Sequence, residues 1–113
     1  MLVIATAMAM AGMPDIYTTS AKTDELAEIC AQTATRPLEA NFCTGYVMAT
    51  VDALAVNKVI CLGPSATTIQ VMAIARKYLA DHPETWDRQP SYVLGEAFKS
   101  VFVCPWNMNW QKK

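Results

Sequence analysis

Residues 37–56 read PLEANFCTGYVMATVDALAV, and this stretch decides the fold class. Phe42, Cys43, Tyr46, Val47, Thr50, Val51 and Leu54 recur at close to 3.6-residue spacing, the period of a helix with one buried face. Pro37 suits the first helical position, because its φ is already fixed and its missing N–H would have no partner there. The pattern predicts a helix over 37–56. Gly45 costs such a helix about 1 kcal/mol relative to alanine, and is expected to let a second helix approach closely. Asp52 either faces solvent or accepts hydrogen bonds inside the fold, and the buried role is the expected one.

Towards the N-terminus, a shorter helix is expected from near Thr23. Asp24 and Glu25 fall in its first turn, where acids complement the helix dipole. Leu26, Ile29 and Cys30 form its buried stripe, and 33–36 break the pattern. Residues 12–22 (GMPDIYTTSAK) show no periodicity and read as a flexible leader. Before them, LVIATAMAMA over 2–11 is an uncharged apolar run ending in the small-x-small pattern Ala9-Met10-Ala11. Residues 1–11 are expected to be a signal peptide or its remnant. The run is too short to span a bilayer.

Towards the C-terminus, 57–65 (NKVICLGPS) is turn-rich and carries Cys61. Thr67 and Gln70 have capping-box spacing. They open a third helix to about Ala80, with the stripe Val71, Met72, Ile74, Ala75, Tyr78 and Leu79. Two prolines interrupt 81–91 (DHPETWDRQPS). A fourth helix is expected from about Ser91 to Val103, burying Val93, Leu94, Ala97, Phe98, Val101 and Phe102. No apolar–polar alternation persists for five residues, except around Val59 to Leu62, and there are no internal repeats. The fold class is therefore all-α: a small four- to five-helix bundle occupying 23–113.

Composition narrows the function. The chain has 113 residues, 53% hydrophobic and 17% charged, enough for one folded domain. Its net charge of −1 lacks the positive footprint that nucleic acid or an anionic membrane requires, so neither is an expected partner. With one histidine and no Gly-rich phosphate loop, hydrolase and nucleotide-enzyme readings are weak. Four cysteines (Cys30, Cys43, Cys61, Cys104) contain no C-x-x-C pair, so neither zinc-knuckle nor thiol–disulfide geometry is met. No metal, no cofactor and no catalytic residue is expected. An even cysteine count in a small exported chain fits two disulfides. Four cysteines allow three connectivities. In a bundle, Cys30 and Cys43 face each other across a short antiparallel turn, and Cys61 and Cys104 meet if the last two helices are antiparallel.

The ordered set Cys30, Phe42-Cys43-Thr44-Gly45-Tyr46, Asp52, Cys61-x-x-Pro64, Gln70, Tyr78-Leu79, His82-Pro83-Glu84, Ala97-Phe98 and Cys104 resembles the Rap/Tai immunity proteins. These guard Gram-negative bacteria against peptidoglycan amidases delivered by type VI secretion. The likeness covers about 26–105. It departs at Ala49, where a glycine is expected, and at Val103, where proline is common. The resemblance implies a periplasmic, commonly homodimeric, non-enzymatic helical protein. Its partner would be a cognate cysteine amidase of the NlpC/P60 type, whose catalytic groove it blocks.

Such an inhibitor needs a protruding element with aromatic and arginine anchors. The connection over 81–92 is longer than a helix–helix turn requires. It supplies the candidate effector-binding residues Glu84, Trp86, Asp87, Arg88, Gln89, Ser91 and Tyr92. The competing reading of Trp86 is that it folds back to cover the bundle end. His82 reads as a framework residue beside Pro83. Two other surfaces compete: Thr68, Gln70, Arg76 and Lys77 on the third helix, and Trp106, Met108 and Trp110 in the tail. From different classes, the alternatives are an exported adaptor or structural domain binding another envelope protein, and a cysteine enzyme, which needs a free thiol.

Overall fold

The computed structural model describes residues 22–32 and 35–107. In chain order the elements are α1 (Thr23–Ala31), α2 (Pro37–Val56), α3 (Thr68–Asp81), a 3-10 turn (Pro83–Thr85) and α4 (Pro90–Lys99). No strand occurs among the described residues, Val59 to Leu62 included. The expected signal at 1–11, all but Lys22 of the leader, and the tail residues Met108 and Trp110 lie outside the described residues.

Helix α1 packs on α2 and α3, and α4 packs on the same two, so each short helix lies against both long ones. The core runs through Leu26 and Cys30 of α1, Cys43, Val47 and Val51 of α2, Val71, Met72, Ala75 and Leu79 of α3, and Val93, Leu94 and Phe98 of α4. Ile60 and Phe102, from the segments after α2 and α4, close one end. All four cysteines are paired, as expected. Cys30–Cys43 ties α1 to α2 with Cα atoms 5.2 Å apart. Cys61–Cys104 ties the segment before α3 to the one after α4, at 4.9 Å. The loops closed span 13 and 43 residues. By loop entropy they stabilise the fold by about 3 and about 4 kcal/mol.

Both long helices begin, and α2 ends, for identifiable reasons. Pro37 is the first residue of α2, and α3 starts where the Thr67 hydroxyl accepts the Gln70 N–H at 3.1 Å, the N-cap half of the expected box. Helix α2 ends in a Schellman motif: Lys58 N–H donates to Ala55 O at 3.0 Å and Val59 N–H to Leu54 O at 2.9 Å. Lys58 occupies the left-handed position at φ 61°, where glycine is the usual residue. Its Cβ makes this turn strained by about 1 kcal/mol.

Several expectations are corrected. Asp52 is exposed on α2 rather than buried. Gly45 faces open space, with nothing within 4 Å of a Cβ built there. The glycine beside a neighbouring helix is Gly95 of α4, where a Cβ would meet the Leu54 side chain at 3.8 Å. Phe42 is 49% exposed and stacks on Tyr46 at 6.1 Å instead of entering the core. Helix α4 stops at Lys99, so Val101 is 47% exposed while Phe102 still turns inward.

Candidate functional site

The candidate residues lie on the connection from α3 to α4, and its course is fixed by unmet backbone groups at two helix ends. Helix termini leave N–H and C=O groups without intrahelical partners. At the end of α3, the Trp86 indole N–H donates to Leu79 O at 2.8 Å. At the start of α1, Asp24 N–H donates to Trp86 O at 3.1 Å, and Thr23 N–H donates to Arg88 O at 3.2 Å. The buried Thr23 hydroxyl donates to the same Arg88 carbonyl at 2.7 Å. Two carbonyls of the connection thus cap α1, and in return α1 holds the connection in one path.

Local bonds stiffen it further. The Thr85 N–H and hydroxyl both donate to His82 O, at 3.0 and 2.7 Å, and Arg88 N–H donates to Thr85 O at 3.0 Å. His82 stacks on Tyr78 with ring centres 4.0 Å apart, and its Nδ1 lies 2.8 Å from Glu84 Oε2. His82 is therefore engaged with its own framework. The hydrogen bond from His82 holds the Glu84 carboxyl below its ordinary value, helped by the Glu84 backbone N–H.

Trp86 takes the second of its two readings: the indole is half-buried, packs on the core and folds back over the bundle end. The remaining candidates divide between two faces. Glu84, Trp86 and Asp87 line a shallow groove with Lys22 and Asp24 on the α1 side. Ser91 and Tyr92 line a groove of about 550 Å³ against Tyr46, Ala49, Ala53 and Leu54 of α2 and Val59 beyond it. Arg88 stands between, its guanidinium carbon 5.9 Å from the centre of the Tyr92 ring. Gln89 is half-buried, with its amide 3.5 Å from the Ser91 hydroxyl. Asp87, Arg88 and Tyr92 are exposed, and the Glu84 side chain is 67% exposed.

Thr23 was legible only as a helix start. No pattern around it announces a bond to a residue 65 positions away. The other surfaces are also placed: Thr68, Gln70, Arg76 and Lys77 are exposed on α3, with Lys77 paired to Asp81 at 2.7 Å, and Trp106 is 50% exposed.

Every cysteine is in a disulfide, so the cysteine-enzyme reading has no free thiol to use. A rigid connection presenting charged and aromatic side chains from a disulfide-stapled helical bundle is the apparatus of a binding protein. The family comparison makes that class particular. The model of the Rap1a immunity proteins matches residues 22–104, and the chain belongs to this family. No curated protein and no solved structure matches the chain. As a family member it is an immunity protein against a secreted effector, and its disulfides are those of an oxidising compartment.

Proposed function

We propose that this protein acts in the periplasm, where it binds a type VI-delivered peptidoglycan amidase of the NlpC/P60 cysteine class and blocks its catalytic groove. The blocking element is the connection carrying Glu84, Trp86, Asp87, Arg88, Gln89, Ser91 and Tyr92. The observation that carries this reading is the double tether of that connection, to Leu79 O through the Trp86 indole and to α1 through Thr23 and Asp24. A segment already held in one conformation loses little entropy on binding. Arg88 and Tyr92 supply the exposed arginine and aromatic anchors that dominate tight interfaces, and Trp86 sets their position.

The protein acts as a homodimer in this reading. Leu38 and Ile69, 80% and 82% exposed at the starts of α2 and α3, are apolar side chains available for self-association. The mass in solution tests it: twice the chain mass supports the dimer and the chain mass alone refutes it.

Expression with a periplasmic signal should protect cells intoxicated by the amidase encoded beside this gene, and cytoplasmic expression should not. Failure to protect by a folded, exported protein would remove that amidase as the target.

A further inference from the structure

The α1 side of the connection is strongly asymmetric in charge. Two grooves, of about 540 and 410 Å³, meet at Trp86 and Asp24, which line both. Asp24, Glu25, Glu28, Glu84 and Asp87 surround them, five of the ten carboxylates in the chain. Lys22 is the one basic residue in either lining, and the Arg88 guanidinium leans over Tyr92 instead. Among the described residues, Asp24, Glu28 and Asp87 form no ion pair.

This face has the features of a seat for a cation. Asp24 and Glu28 stand one turn apart on α1, a like-charge spacing that costs helix stability until a positive charge intervenes. An anion is disfavoured there although the site is a helix start. The Thr23 and Asp24 N–H groups already donate to Arg88 O and Trp86 O, so they are not free to hold one. In the groove that carries Asp24, Glu25 and Glu28 the rest of the lining is apolar, made by Ala27, Ala31, Ala80 and the Trp86 indole. Such a lining takes the aliphatic stem of a long basic side chain while the head reaches the rim, and an indole attracts a cation.

We propose that the two grooves around Trp86 form a docking surface for a lysine- or arginine-bearing segment of the effector. The assignment rests on the immunity reading for the identity of the partner, and on the grooves alone for its chemistry. In this arrangement Arg88 and Tyr92 engage the effector on one side of the connection, and the acidic grooves fix its orientation on the other by charge complementarity.

The test uses tetra-arginine peptide added to the isotopically labelled protein, followed by NMR. Saturable shifts are expected at the Trp86 indole N–H and at the amides of Asp24, Glu28 and Asp87. They should weaken about tenfold in the double variant Glu28→Gln/Asp87→Asn, and vanish in about 1 M salt, where the Debye length is about 3 Å. The variant Asp52→Asn/Glu96→Gln, altered elsewhere on the surface, should bind the peptide as the wild type does. Absence of saturable shifts, or shifts unchanged in Glu28→Gln/Asp87→Asn, overturns the assignment. A second arm uses the amidase. With wild-type protection intact, slower association and weaker binding of Glu28→Gln/Asp87→Asn support the docking surface. Unchanged binding refutes it while leaving the immunity reading standing. Failure of wild-type protection removes that amidase as the target, and the peptide arm then decides the surface by itself.

Discussion

The segment from α2 to α3 and the segment from α3 to α4 solve the same geometric problem in different ways. The first is anchored covalently by Cys61–Cys104, after the hydrogen-bonded Schellman turn at Lys58. The second contains no cysteine and is held by backbone carbonyls of its own that cap α1, together with one indole bond. The first carries one charged residue, Lys58, and buries Ile60 in the core. The second carries Asp87 and Arg88 exposed beside Glu84. The difference is one of exposure: the disulfide-anchored segment buries Ile60, and the segment held by polar bonds is fixed in position while its charged side chains stay in solvent.

The contrast can be broken most severely at the disulfide. Replacing Cys61 and Cys104 together by serine should cost about 4 kcal/mol, read from chemical denaturation, and should unfold much of the population near body temperature. Trp86→Ala comes next, at about 3 kcal/mol, the usual cost of removing a large aromatic from the edge of a core. Its distinguishing readout is local: amide hydrogens of Thr23 and Asp24 should exchange faster, because the carbonyls they donate to are no longer held. Equal exchange in the variant would mean the connection does not depend on the indole. Thr23→Val keeps the shape, removes the buried hydroxyl and should cost about 1 kcal/mol. By contrast, Arg88→Ala/Tyr92→Ala should leave stability within about 0.5 kcal/mol and weaken effector binding by at least about tenfold.

Legibility in the sequence followed the same division. Local periodicity placed the helices because a core face repeats every 3.6 residues, and the stripe of α3 held along its length. What periodicity could not give was the width of the covered face. On α2 the fully buried line is Cys43, Val47 and Val51, while Tyr46 and Leu54 are half-buried and Phe42 lies further out. Asp52 and Gly45 failed for the same reason, since each was judged by its sequence neighbours and not by which side of α2 a partner covers. A twenty-residue helix is about 30 Å long, and the helices of 9 and 10 residues beside it cover only part of it. The disulfides were legible because helix order in an antiparallel bundle brings the right cysteines together. The candidate site was read as a composition of anchors on a long connection, and the division of those residues between two faces was not legible. That division depends on Thr23 and Asp24 bonding to a segment more than sixty residues away.

The smallest expected effect concerns acid. Glu84 is held below its ordinary value by His82, so this interaction favours the folded state above the ordinary carboxylate range and is lost as pH falls through the lowered value. Because the side chain is exposed, stability changes little, and the readout is the Glu84 carboxyl itself by NMR titration. In His82→Ala its midpoint should rise towards that of a free glutamate. An unmoved midpoint would show that the pair does not persist in solution.

The central claim is that the α3–α4 connection is the part of the molecule that meets the effector. Hydrogen exchange of the protein alone and in complex with the amidase encoded beside its gene tests this most directly. Protection concentrated in residues 82–92, extending to Asp24 and Glu28, is the result the account expects. A footprint on the exposed face of α3 around Thr68 and Arg76, with 82–92 unchanged, would contradict it.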